Sequence, residues 1–241
     1  MKHLINMNNY LYLLLNLASV SIPLLYSVFE KEFHFIKHFK KALISIIALA
    51  IPFLIWDFWF THKAIWGFNS NYHLSVLLLG MPVEEWLFFF CIPYSCLFTH
   101  QAFKYYLPNF KLPKKITVVI SILLILSTSI ILIFNADKCY TLINFTYYIL
   151  LMVFSLKYCL KTLREFYPSF LVILIPFFAI NGVLTGSFID FPIVWYNNSE
   201  NIGFRIFTIP FEDVFYAFNL LFSIQLVFNF LNSDKKYQKH I

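Results

Sequence analysis

A chain of 241 residues that is 60% hydrophobic and 12% charged is not an ordinary soluble domain, which carries about 25% charged residues. Five glycines, with no Gly-x-Gly-x-x-Gly or Walker pattern, exclude the phosphate-cradling loops of nucleotide enzymes. The net charge of +6 falls in alternate connecting segments, so it marks membrane topology and contact with anionic headgroups, not a nucleic-acid partner.

Taken in order, apolar runs of spanning length, about 20 residues each, lie at 10–28, 42–60, 74–98, 116–134, 140–160, 169–189 and 203–230. They predict an all-α polytopic membrane protein of seven transmembrane helices, folded as a single integral domain over 1–241. Lys31, Lys37, Lys40 and Lys41 follow the first helix, and Lys104, Lys111, Lys114 and Lys115 the third. Lys157, Lys161 and Arg164 follow the fifth; Lys235, Lys236 and Lys239 end the chain. Only Lys2, Lys63, Lys138 and Arg205 fall on the opposite side. The positive-inside rule then puts the amino terminus outside and the carboxyl terminus in the cytoplasm, in the cell's inner (plasma) membrane. Cys91, Cys96, Cys139 and Cys159 contain no Cys-x-x-Cys pair and read as small apolar core residues.

The chain repeats itself. Asp57 near the end of helix two precedes a loop with Trp66 and Asn69, then Pro82-Val83-Glu84-Glu85. Asn181 in helix six precedes a loop with Trp195 and Asn197, then Pro210-Phe211-Glu212-Asp213. Helices one to three match five to seven, so the expected repeats are 1–100 and 140–231, parallel, joined by a connector helix at 116–134. Pro82 and Pro210 suit the first turn of a helix. Gly182-x-x-x-Gly186 fits close helix packing, although alone it is a weak motif.

Two adjacent acids in each of two apolar helices are costly, at about 2.5 kcal/mol or more per charge, and packing alone does not explain them. Counting helical rise from His73 or Gly203 puts Glu84 and Glu212 roughly 14–17 Å below the outer surface, near mid-bilayer. Burial and like-charged neighbours favour carboxyls that keep or share protons. Phe88, Phe89 and Tyr216 follow the acids at helical spacing, and aromatic faces stabilise cations. Acid, aromatic walls and no water suit protonation of a carbon–carbon double bond and protection of the carbocation. The plain alternative is an interhelical polar clamp. A proton-coupled transporter or channel would also place acids between parallel repeats, but bulky aromatics flank these clusters and relay residues are few. A retinal photoreceptor needs a Schiff-base lysine, and 203–230 has none. His62 and His73 lack ligand-like spacing, so no metal is expected. Arg205 lies on the outer side of Glu212 and reads as a snorkelling side chain.

The paired Pro-x-Glu-Glu and Pro-x-Glu-Asp segments, Trp56-Asp57, Asn181-Gly182-x-Leu184-Thr185-Gly186 and Trp195-Tyr196-Asn197 resemble the membrane-integral lycopene cyclase domain family. The likeness covers roughly 1–231 and is to the fused form, in which two homologous halves are joined. It implies cyclisation of the acyclic ends of lycopene to β-ionone rings, an isomerisation without net redox change or cofactor. It implies a lipophilic carotenoid substrate in the lipid bilayer and contact with other carotenoid enzymes. By the resemblance, Glu84, Glu85, Glu212 and Asp213 are the catalytic acids. Asp57, Asn181, Trp66, Trp195, Asn197, Phe88, Phe89 and Tyr216 are substrate-binding or supporting residues. The second half departs from a strict repeat at Asn181 for Asp57 and Asp213 for Glu85. The acyclic polyene is expected to enter sideways from lipid.

Overall fold

The computed structural model describes residues 7–237, in which seven helices follow a short 3₁₀ turn, Met7–Tyr10. They are α1 Leu11–Phe29, α2 Phe39–His62, α3 Val83–Tyr106, α4 Lys114–Phe134, α5 Cys139–Tyr158, α6 Leu160–Leu184 and α7 Phe211–Tyr237. Among the described residues, all but α3 are long and apolar enough to cross a membrane by length and composition. α3 has the length of α2 but carries Glu84, Glu85 and His100, all buried. Its polar groups turn inward because α3 packs against α1, α2, α6 and α7 at the centre of the bundle.

The polarity of the molecule is inverted relative to a soluble protein. Asn16, Asp57, Asn144, Asn219 and Gln225 are buried, whereas Ile22, Ile133, Phe134, Leu171 and Ile175 face outward. That distribution suits a hydrocarbon solvent, in which backbone polar groups must be satisfied within helices and buried side chains by one another. One apolar core joins α2, α3 and α7; a second joins α5, α6 and α7. α4 packs only shallowly, against α5 and α6, and leaves most of its apolar surface outward.

Three helix starts differ from the sequence expectation. α3 begins at Val83, not near 74, and α7 at Phe211, not near 203. The intervening apolar residues form tight hairpins. Before α3, β2 Leu77–Leu78 pairs with β3 Met81–Pro82. Leu79 (φ 53°) and Gly80 (φ 81°) both take the left-handed conformation that a two-residue hairpin turn requires. Before α7, Arg205–Ile206 pairs with Ile209–Pro210 (β5 and β6). Pro82 is the N-cap of α3 and Pro210 immediately precedes α7, as their fixed φ favours. The acids therefore occupy the first turn of each helix under a loop cap, and the depth counted from His73 and Gly203 does not hold. α6 also starts earlier than expected, at Leu160. Its first turns carry basic residues that hydropathy reads as a loop: Lys161 is exposed, and Arg164 Nε donates to Leu112 O at 2.8 Å in the connection between α3 and α4.

The two caps are stitched together. β1 Trp66–Phe68 pairs antiparallel with β4 Val194–Tyr196, matching Trp66 with Tyr196 and Gly67 with Trp195. Asn69 N–H donates to Ile193 O and Asn197 N–H to Ile65 O, each at 2.8 Å. A Cβ on Gly67 would lie 2.3 Å from the Trp195 ring, so only glycine lets the two loops close.

Candidate active site

Each acid pair is built by the same three contacts. In α1, Asn16 Nδ2 donates to the Glu84 carbonyl (2.8 Å) and the Tyr12 hydroxyl donates to Glu85 Oε2. In α5, Asn144 Nδ2 donates to the Glu212 carbonyl (2.7 Å) and the Tyr140 hydroxyl donates to Asp213 Oδ1 (2.7 Å). In the caps, Leu74 N–H donates to Glu84 Oε1 and Ile202 N–H to Glu212 Oε1, both at 2.7 Å. Glu212 Oε1 also accepts from Thr141 Oγ1 at 2.7 Å. The Tyr-x-x-x-Asn spacing puts both side chains on one face of α1 and of α5. That face grips the first turn of α3 or α7.

The two acids of each pair point to different places. Glu84 and Glu212 are 0% exposed and hold the cap loops, each with an Oε2 that finds no partner. Glu85 and Asp213 line a shared cavity of about 180 Å³ with Asp57, Asn181, Trp66, Phe88 and Tyr216. Among the sequence-nominated residues, those are the seven that meet there. Phe89 is packed in the apolar core instead. Trp195 lies over Gly67 on the outer side, and the Asn197 side chain closes a turn by accepting from Ser199.

The environments of the two chamber-facing acids are unequal. Asp57 and Glu85 lie within hydrogen-bonding reach of one another. Trp66 Nε1 donates to Asp57 Oδ1 at 2.6 Å, while no N–H donor reaches Asp57 Oδ2. Two carboxyls so placed need a proton between them. Asp213 instead receives three neutral donors: the Tyr140 hydroxyl (2.7 Å), the Tyr196 hydroxyl (2.9 Å) and Asn181 Nδ2 (3.0 Å). That set complements a carboxylate. Tyr196 belongs to the cap strand β4. Burial, with the adjacent Asp213, pushes its phenol well above the usual range, so it stays a donor.

Aromatic rings close the outer end of the chamber. Tyr216 lies 5.0 Å from Trp56 and 6.1 Å from Trp66, centroid to centroid. Trp66 lies 5.2 Å from Tyr140 and 5.9 Å from Tyr196. Away from the three carboxyls the cavity wall is mainly apolar, which disfavours bulk water beside the acids. Among the described residues no three His, Cys, Asp or Glu side chains cluster as metal donors. Such an arrangement can deliver a proton, face a cation with π density and take a proton back, all away from water.

Sequence reasoning passes over Tyr12, Asn16, Tyr140, Asn144 and Thr141, and quotes Tyr196 only within a motif. A signal does exist. Tyr12 and Tyr140, Asn16 and Asn144, Glu84 and Glu212, and Glu85 and Asp213 are all separated by the same number of residues, 128.

The sequence model of the family described as lycopene cyclase matches residues 9–103 and 137–231, one segment over α1–α3 and the other over α5–α7. No curated protein and no solved structure matches the chain.

Proposed function

Because the chain belongs to the lycopene cyclase family, and is thereby an enzyme of carotenoid cyclisation in a multi-pass membrane fold, we propose that it closes the acyclic ends of lycopene to β-ionone rings by internal acid–base catalysis. The reading treats the chain as one membrane domain whose halves share a reaction chamber. The observation that carries it is the convergence on one mainly apolar cavity of two neighbouring carboxyls, Asp57 and Glu85, and a third, Asp213, that accepts from three neutral donors.

Glu85, sharing its proton with Asp57, gives H⁺ to the terminal carbon–carbon double bond. The neighbouring double bond attacks the resulting tertiary cation and closes a six-membered ring. Asp213 removes a ring proton, which restores a double bond, so substrate and product are isomers and no redox partner is consumed. Return of that proton to Glu85 resets the site. Trp66, Tyr140, Tyr196 and Tyr216 surround the cation; such contacts are worth about 2 kcal/mol or more when water is excluded. Positioned proton transfer contributes about 10²–10⁴-fold. Glu84 and Glu212 act at one remove, by fixing the cap loops and the first helical turns on which Glu85 and Asp213 ride. Orientation follows the lysine distribution, with the acid-bearing ends of α3 and α7 on the outer side of the plasma membrane.

The test is expression in a lycopene-accumulating bacterium, with pigments identified by chromatography. Ring-bearing carotenoids are expected from the native chain, and about a hundredfold less or lower still from Glu85→Gln or Asp213→Asn. Unchanged lycopene from a folded native chain would refute the proposal.

A further inference from the structure

The chamber is too small for a whole C40 polyene. Its whole length, acids and outer arm together, encloses only about 180 Å³, little more than an apolar cavity of about 150 Å³ that takes one benzene ring. The end of the cavity away from the acids is a slot floored by α3, through Ile92, Ser95, Cys96 and Thr99. From Glu85 to Thr99 this floor runs about 21 Å, at about 1.5 Å per residue. Its sides are Ser19 and Pro23 of α1 and Pro176 and Phe177 of α6. α3 packs on both α1 and α6, which barely meet each other, and Pro176 is exposed at the bundle surface.

The internal repeat predicts a second slot, on α7 between α5 and α2. There the space is filled by the chain's own side chains. Tyr147 of α5 stands where α1 has Ser19, and its hydroxyl meets Ser223 Oγ at 2.9 Å, the position matching Ser95. Phe53 of α2 lies 5.6 Å from Tyr147 and 5.3 Å from Tyr216, and Trp56 lies 5.0 Å from Tyr216. Glu85 and Asp213 thus face one chamber, which the α1–α3–α6 slot reaches.

We propose that the α1–α3–α6 slot is the binding site for the extended polyene arm of the substrate, and that, with its symmetry mate plugged, each chain cyclises one end per binding event and releases a one-ringed product before the second end can enter. The proposal rests on the cyclase reading for the identity of the ligand, but binding and turnover can be read separately.

The experiment uses the full chain in lipid nanodiscs with lycopene as the probe. Affinity is read from quenching of tryptophan fluorescence, and products from chromatography over time. Ser19→Tyr copies a Tyr–Ser pair that the second half already accommodates, so the variant is expected to keep the native melting temperature. It should weaken lycopene binding by roughly tenfold or more and lower ring formation in step. Tyr147→Phe, in the plugged slot, should bind lycopene as the native chain does. In the native time course, one-ringed product should accumulate ahead of any two-ringed product. Unchanged affinity in folded Ser19→Tyr would overturn the slot whether or not rings form. Two-ringed product arising without a free one-ringed intermediate would overturn the one-end-per-visit rule. A native chain that binds lycopene, loses it with Ser19→Tyr and yet forms no ring would leave the slot standing and remove the cyclase reading.

Discussion

The sharpest consequence of the divergent acid pairs is that two isosteric substitutions one residue apart should fail in opposite ways. In Glu85→Gln, the new side-chain oxygen can still accept from the Tyr12 hydroxyl, and the new amide can donate to Asp57 in place of the proton that the two carboxyls share. Stability should therefore change by less than about 1 kcal/mol, since one neutral hydrogen bond replaces a shared proton. Chemistry should suffer heavily, because the proton for the double bond is gone. A loss of about 10²–10⁴ in turnover is expected, equivalent to roughly 2.7–5.4 kcal/mol of barrier. In Glu84→Gln, the oxygen can keep the Leu74 N–H, but the amide occupies the sealed space of an Oε2 that has no partner. An unsatisfied buried donor costs about 1–3 kcal/mol, so this variant should melt earlier yet cyclise at near-native rate per folded molecule. The assay is melting in nanodiscs beside lycopene turnover normalised to folded protein. A fully active Glu85→Gln, or a stable but inactive Glu84→Gln, would refute the division of roles.

Other consequences follow from the same geometry. Asp213→Asn leaves one acceptor oxygen for three donors and sets its own amide against them, so turnover should fall by about 10²–10⁴ while lycopene binding by fluorescence quenching persists. Gly67→Ala forces a Cβ into the Trp195 ring and should cost about 1–3 kcal/mol of stability, with ring formation falling as Trp66 shifts off Asp57; melting and pigment yield together check this. Burial holds the His73 imidazole below its ordinary 6.5, and its Nδ1 accepts from Ser75 N–H. Between 6.5 and the lower native value the unfolded chain binds more protons, so stability should fall as pH falls through that window and stay flat above it. His73→Gln should flatten that slope in melting curves taken across the same pH range.

Much of this fold is legible in the sequence because hydrocarbon imposes long apolar runs, and because proline before paired acids marks the start of α3 and of α7. The boundaries at 74 and 203 fail for a definite reason. Val76, Leu77, Leu78 and Leu79 are as apolar as a helix but form an exposed hairpin and turn, and hydropathy does not see the φ reversal at Leu79-Gly80. The acid motif itself is visible, yet the sequence does not show which acid of each pair faces the cavity. Neighbouring residues on a helix point about 100° apart, and here Glu85 and Asp213 line the cavity while Glu84 and Glu212 bond the cap loops. Tyr12 and Tyr140 escape notice because a tyrosine in an aromatic-rich chain has no local signature; only their equal spacing from the acids marks them. The plugging of one slot by Tyr147, Phe53 and Trp56 depends on tertiary packing between repeats and is not readable from either half alone.

The central claim, that a carboxyl in this chamber adds a proton to the polyene, is most directly tested by equilibrating the purified chain with D₂O and allowing a single turnover on unlabelled lycopene. Mass spectrometry should find one deuterium gained in each ring formed. Rings formed with the hydrogen content of lycopene unchanged and no deuterium gained would contradict the account.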